Sequence, residues 1–404
     1  MDVIWVIFLF VLGACVGSFL NVVIYRMPRG ESIVFPGSHC PSCGNPIGWH
    51  DNLPIVSWLA LRGRCRKCRC RISPRYLVIE AMTGLLVAGL YLCYYVLRIR
   101  DMGRFEETWP YFASQAVLLC GLVAASAVDV ELYIVPLPVM WVCAAVGIIV
   151  AVAWPEGRIL PPASPRWALA ALAATMGLLI SELLLRLGVI QPSFIDAQDK
   201  PLALVHGEGE KGRPGRDQPA RTQAARPATS AKAKSVAITK DDGVDPRLEV
   251  LRELLFLLPA IILGVAAWLV YDVPAVGQTV GAILSGKAAL GRHLLSGAGA
   301  LLGLLAGVGW IWGIRILGTL GFGKEAMGMG DVHILAAIGA VNGPAAATLT
   351  FFLAPVFGLI YALHLLILRG KRELPYGPWL AVGALASMLF YDPILEFIRG
   401  GLRY

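Results

Sequence analysis

"MDVIWVIFLFVLGACVGSFLNVVIY" (1–25) is apolar over nearly its whole length. An acid stands where a secretory leader would carry basic residues. The apolar run is longer than a leader's core, and no small-residue cleavage site follows it. The stretch therefore reads as a retained membrane span. Similar runs recur along the 404 residues, of which 57% are hydrophobic and 15% charged, against about 25% charged in ordinary soluble domains. Runs of ~20 apolar residues have the length of a helix that crosses the hydrocarbon core. The expected fold class is all-α: a polytopic transmembrane helix bundle with a small cytoplasmic cysteine loop domain.

The hydrophobic pattern predicts ten helical segments, near 3–25, 77–97, 112–128, 134–154, 167–190, 251–271, 296–320, 331–342, 345–368 and 378–397. The eighth is short for a span and meets the ninth at "NGP" (342–344), where glycine and proline punctuate. Lys and Arg set the orientation. Nine lie in 26–76 and ten in 191–250, with Lys324, Arg369, Lys371 and Arg372 further on. With an outside N-terminus and ten crossings, all of these fall on one side, which the positive-inside rule makes cytoplasmic. The net charge of +8 is thereby accounted for by cytoplasmic loops facing anionic headgroups. No basic soluble module points to nucleic acid.

This pattern divides the chain into five parts. They are a first span (1–25), a cytoplasmic loop domain (26–76), helices 77–154, an insertion 155–295, and the closing helices 296–404. The insertion is read as a helix pair flanking a linker, 191–250. Within the linker, "GEGEKGRPGRDQPARTQAARPATSAKAKS" (207–235) has almost no large apolar residue and is expected to be disordered. "ALAALAATMGLLISELLLRLG" (168–188) and "AGALLGLLAGVGWIWGIRILG" (298–318) share a small-residue start, which we read as the habit of small residues at helix contacts.

The loop domain carries "HCPSCGNPIGWHDNLPIVSWLALRGRCRKCRC" (39–70), with Cys40, Cys43, Cys65 and Cys68 as two C-x-x-C pairs 21 residues apart. Four thiolates on two tight turns suit tetrahedral zinc, and the gap is close to the zinc-ribbon range. Disulfides are the alternative reading, disfavoured in a reducing cytoplasm. A shell closed by four cysteines implies a structural zinc; Cys70, His39 and His50 are spare ligands. Cys15, Cys93, Cys120 and Cys143 lie in spans and read as packed thiols.

Ionisable groups at membrane depth need a reason. The candidates are Glu80, Asp129, Glu182 and Asp331. Asp129 ends the third segment in "SAVDVELYIVP" (126–136). Asp331 sits between a glycine-rich turn and an apolar helix in "GKEAMGMGDVHILAAIGA" (323–340). The topology puts both on the cytoplasmic boundary. Two facing carboxylates can share one proton, so that one activates water and the other polarises a peptide carbonyl. The bland alternative is two boundary acids, each solvated or salt-bridged. The glycines beside Asp331 allow close approach of a backbone and tilt the balance towards the dyad.

In order along the chain stand "GSFLNVVIYRMP" (17–28), the two cysteine pairs, "LALRGRC" (59–65), "ISPRYLVIE" (72–80), Asp129 seven residues before Pro136, "GMGD" (328–331) and "LPYGPWLA" (374–381). This series resembles the bacterial prepilin peptidases, membrane aspartyl proteases of the GxGD type, over about 1–154 and 296–397. The resemblance implies cleavage of the leader of type IV prepilins and type II secretion pseudopilins at the cytoplasmic face of the bacterial inner membrane. It implies Asp129 and Asp331 as the catalytic pair. It also implies S-adenosylmethionine-dependent N-methylation of the new N-terminus, as in many members. His333 stands where the family usually has Lys, and Leu137 where a polar residue often follows the proline. A peptidase without methyl transfer is one alternative. A transporter with a zinc-ribbon cap is another, but it would place its polar groups near the bilayer midplane rather than at its edge.

Glu80 is expected to stabilise a basic loop residue such as Arg75, and Glu182 to make a helix–helix hydrogen bond. Gly17, Ser18 and Asn21 should pack the first helix. His333 could tune Asp331 or simply pack.

Overall fold

The computed structural model describes residues 2–155, 162–193, 246–284, 289–369 and 375–401. Most of the linker, with the disorder expected of it, lies outside the described residues, as do Arg158, Lys287, Lys371, Arg372 and Arg403. The helices are α1 (Asp2–Arg26), α2 (Val56–Ala60), α3 (Arg75–Tyr91), α4 (Phe105–Leu132), α5 (Leu137–Ala153) and α6 (Pro165–Arg186). After the linker come α7 (Pro246–Val270), α8 (Pro274–Ile283), α9 (Ala289–Phe322), α10 (Met329–Arg369), α11 (Gly377–Leu389) and α12 (Tyr391–Gly401). No strand occurs among the described residues; two isolated bridges, His39 with Pro46 and Arg64 with Arg71, pin the cysteine loop. The chain is an all-α bundle, as its apolar runs predict.

Among the described residues, seven helices are long and apolar enough to cross a membrane, or eight if the bent pair α11–α12 counts as one span. Their outward faces carry large apolar side chains such as Phe8, Leu12, Leu179 and Leu359. The ten expected segments are all present, with three corrections. The fourth is a shorter apolar helix, Leu137–Ala153. The last is two helices set 81° apart, because the chain breaks at Phe390 and restarts with Pro393 in the next helix's first turn. Arg100 braces that break: its guanidinium lies 4.6 Å over the Tyr391 ring and donates to the Met388 carbonyl. The short α8 was not foreseen.

The third correction concerns segments eight and nine, which are joined in α10 across Gly343, whose φ of 85° and ψ of 173° no helix contains. The contacts show a hairpin. On the first arm, Leu335 packs at Gly307 of α9 and Gly339 at Gly303. On the second arm, Gly343 lies at Gly303, and Thr348 and Phe351 pack at Trp310. Residue numbers fall along the first arm and rise along the second as α9 is followed in one direction, so the arms are antiparallel. Only glycine adopts such a dihedral pair cheaply, and Pro344 starts the returning helix. Gln115 of α4 donates to Asn342 at 2.8 Å and fixes the turn in the bundle.

Packed neighbours run antiparallel, as second contacts show: Gly13 of α1 meets Gly84 of α3, Tyr111 of α4 donates to the Trp154 carbonyl just after α5, and Ala174 of α6 meets Gly264 of α7. Gly17 of α1 meets Glu80 of α3, Gly121 of α4 meets Cys143 of α5, and Gly177 of α6 meets Ala260 of α7. Gly383 of α11 likewise meets Ala354 of the second α10 arm. The C-terminal end of α4 and the N-terminal ends of α10 and α11 therefore gather at one end of the bundle. The cysteine loop hangs from that same end.

Candidate active site

Asp129 and Asp331, 202 positions apart in sequence, line one cleft of about 380 Å³ at that end. Its wall is completed by Tyr133 and Val135 after α4, by Met327, Gly328 and Gly330 before and within α10, and by Pro375 and Tyr376 before α11. Asp129 is buried near the end of α4, one turn before Tyr133 closes the helix in a left-handed conformation. Asp331 is in the first turn of α10 and half-buried.

One oxygen of Asp129 is fixed by the chain. The backbone N–H of Gly377 donates to Oδ2 at 2.8 Å. A Cβ at position 377 would itself lie 2.8 Å from that oxygen, so the residue must be glycine for the amide to come so close. "LPYGPWLA" points to the neighbourhood but not to this donor, because nothing in one sequence links residue 377 to residue 129. The end of α4 is also tied to α3, where Arg75 donates to both carboxylate oxygens of Glu131, at 2.6 and 2.7 Å.

That pairing corrects the expected partner of Glu80. Arg75 goes to Glu131, while Glu80 accepts the Ile55 N–H at 2.7 Å and so holds the cysteine loop against α3. Asn21 donates to the Gly17 and Tyr76 carbonyls, joining α1 to α3 as the small-residue reading expects. Arg26 was missed from sequence. It is buried and donates to the Ser32, Pro36 and Gly37 carbonyls, which fixes the exit of the loop. Glu182, expected to bond across to another helix, instead pairs with Arg186 one turn on in its own helix. His333 hydrogen-bonds to the Met329 carbonyl at 2.9 Å and sits edge-on to Trp141, so it packs at the mouth of α10.

In the loop domain the sulfur atoms of Cys40, Cys43, Cys65 and Cys68 lie within 4.8 Å of one another, a set that could hold one metal ion. The two halves repeat one turn. The Cys40 N–H donates to the Asn45 carbonyl and the Cys65 N–H to the Cys70 carbonyl, both at 2.9 Å. Gly44 and Arg69 occupy the same left-handed position, with φ of 66° and 60°. Burial raises the Cys40 thiol, but the Ser42 and Cys43 amides and neighbouring thiols outweigh it and hold it down at about 6. The Asn45 amide lowers Cys43, yet burial and the thiols of Cys40 and Cys68 push it up to about 11. Cys70 lies 3.5 Å from the Cys40 sulfur and backs the cluster as a fifth thiol.

Residues 11–94 match the family model of the bacterial peptidase A24 N-terminal domain. That segment contains the cysteine loop and Glu80, and neither aspartate. The chain is 47% identical to a prepilin leader peptidase/N-methyltransferase of Myxococcus xanthus, over 32% of its own length and 36% of the relative's. It is 37% identical to a protein of the same description from Klebsiella pneumoniae, over 34% and 59% of the two lengths. A type 4 prepilin-like proteins leader peptide-processing enzyme of Escherichia coli is 36% identical, over 30% and 46%. The chain thus spans between about a third and three-fifths of the length of these relatives. No solved structure matches it significantly. Residues 11–94 thus resemble the N-terminal domain of the bacterial A24 peptidases, and about a third of the chain is similar to proteins described as prepilin leader peptidases.

Proposed function

We propose that the protein is a membrane-embedded aspartyl endopeptidase that removes the leader of type IV prepilins and related pseudopilins at the cytoplasmic face of the inner membrane. The observation that carries this is the cleft that Asp129 and Asp331 share at the basic end of the bundle. The prepilin's apolar segment would lie in the bilayer with its leader in the cytoplasm, so the scissile bond falls at the boundary where the cleft opens.

In this mechanism the two carboxyl groups hold one proton between them. The ionised acid takes a proton from water, whose oxygen attacks the peptide carbon. The protonated acid donates to the carbonyl oxygen and stabilises the tetrahedral intermediate. Proton return to the leaving nitrogen breaks the C–N bond. The Gly377 N–H holds the Asp129 carboxylate in one orientation throughout, so no reorientation is needed as charge moves.

The relatives' names also include methyl transfer, for which S-adenosylmethionine would supply the methyl group. The sequence lacks the glycine-rich nucleotide loop of soluble methyltransferases, and no residue is assigned to that cofactor. Co-expression with a candidate prepilin, followed by mass spectrometry of its N-terminus, tests both activities together. A leader that stays attached would overturn the peptidase reading; a cleaved but unmethylated product would leave the peptidase alone.

Zinc is the metal proposed for Cys40, Cys43, Cys65 and Cys68, in a structural role, since four thiolates leave no open position. Reduced, purified protein should carry one zinc per chain by metal analysis. Cys40→Ser should lower the folded yield more than it slows cleavage by the surviving fraction. A metal-free, fully active wild type would contradict this role.

The linker is proposed to be dispensable for hydrolysis, because its composition cannot build a core. Deletion of residues 200–245 should leave cleavage within about threefold of wild type, a change worth well under 1 kcal/mol in the barrier. Complete loss in a stably inserted deletion protein would assign the linker a part in the reaction.

A further inference from the structure

The strip of chain that fronts Asp331 is held from behind by a buried cation. Arg315, on the last turns of α9, has a side chain only 1% exposed. Its Nη1 donates to the Glu325 carboxylate at 2.6 Å and to the Met327 carbonyl at 2.7 Å. Met327 lines the cleft. On its other side, the Arg315 Nε donates at 2.6 Å to Glu253 of α7, whose side chain is also 1% exposed. Glu253 is itself surrounded by donors: Trp312 Nε1 at 3.2 Å and Ser193 Oγ at 3.4 Å. Phe256 of α7 stacks on Trp312, with ring centres 5.5 Å apart, and closes the site.

Glu253 and Ser193 belong to the insertion, the part of the chain that the prepilin peptidase resemblance does not cover. Ser193 stands at the start of the linker and Glu253 just after its end, and Glu253 reaches toward the cleft loop through Arg315. A buried ion pair serving only to join α7 to α9 would need no acceptor on that loop. Here two of the guanidinium's bonds go to residues 325 and 327, and a planar fork suits holding acceptors on separate elements at fixed angles.

We propose that Arg315 and Glu253 are positioning residues for the cleft. Arg315 clamps the 323–330 strip so that Asp331 stays in register with Asp129, and Glu253 of the inserted pair holds Arg315 in the clamping geometry. The catalytic consequence rests on the peptidase reading; the clamp itself does not. The clamp acts through the backbone of the strip, so its loss should lower kcat more than it raises KM.

The test uses the full-length protein in nanodiscs, with hydrogen exchange followed by mass spectrometry and prepilin cleavage measured in parallel. Glu253→Gln and Arg315→Lys should each speed exchange at 324–330 by roughly tenfold or more, as expected for loss of a charge-assisted bond. Exchange in α4 and in the cysteine loop should stay at the wild-type rate. Cleavage should show kcat lowered by roughly 10- to 100-fold with KM changed far less. Glu182→Gln, on the same inserted pair but paired with Arg186 of its own helix, should change neither readout. Should Glu253→Gln not accumulate, Glu325→Gln removes the strip's own carboxylate and carries the same expectation for exchange. Unchanged exchange at 324–330 in well-inserted variants would overturn the clamp. A wild type that cleaves no prepilin would overturn the peptidase reading, and the exchange result would still decide the clamp.

Discussion

Asp129→Asn and Asp331→Asn should each reduce leader cleavage by at least ~10³-fold while the protein still inserts and folds. Asparagine keeps the size and much of the hydrogen bonding of aspartate. In the first variant its side-chain oxygen can still accept the Gly377 N–H, so the cleft keeps its shape. What is lost is the exchangeable proton. A dyad works as a unit: one acid must be charged and the other protonated, and no other carboxylate lines the cleft among the described residues. The double variant should therefore be hardly worse than either single one. For the same reason the rate should fall on both sides of a pH optimum. Below it both acids are protonated and no base remains; above it both are ionised and no acid remains. The two limits belong to the pair rather than to either residue. A well-expressed Asn variant that cleaves substantially would remove the dyad and leave two boundary acids in its place.

Much of this arrangement can be read from the sequence, for physical reasons that also mark the limit. Apolar runs locate the helices because a membrane span must be apolar along its length, and alternation with basic loops gives the direction of each. Once direction is known, Asp129 at the end of one segment and Asp331 at the start of another must share an end of the bundle. Which helices stand side by side at that end is not given by periodicity, since every span is apolar all round. Nothing before the structure tied Gly377 to Asp129, or Arg75 to Glu131 rather than to Glu80. The Arg315–Glu253 pair was invisible for the same reason: its members are 62 residues apart on segments that each read as ordinary spans. Glu182 shows the converse error. An acid in a span suggested a partner on another helix, whereas Arg186 waits one turn away. The cysteine cluster was the easiest feature to read, because its cysteines come in local pairs, each on a turn closed by its own backbone hydrogen bonds.

Gly303→Val should cost most of the folded protein. The α9 helix carries glycines at 299, 303 and 307, spaced to lie along one face. A Cβ on Gly303 would run into the Gly339 carbonyl, and one on Gly307 into the Leu335 carbonyl, both on the first arm of α10. The obstruction is backbone on a packed helix, which cannot turn aside as a side chain can. In lipid there is little hydrophobic drive to press the helices back together, so close backbone contact is itself the source of their association. Overpacking alone costs ~1–3 kcal/mol, and forcing two backbones apart adds the lost contacts of the whole seam. Gly309→Ala, two positions on in the same helix, is the control. A Cβ there meets nothing within 4 Å, so the change should be neutral or stabilising by up to ~1 kcal/mol. Detergent-solubilised yield and thermal melting would compare the two. The first arm of α10 carries Asp331 in its first turn, eight residues before Gly339, so whatever Gly303→Val protein survives should also lose cleavage disproportionately. If that variant melts with Gly309→Ala, the α9–α10 seam is not what holds Asp331 in place.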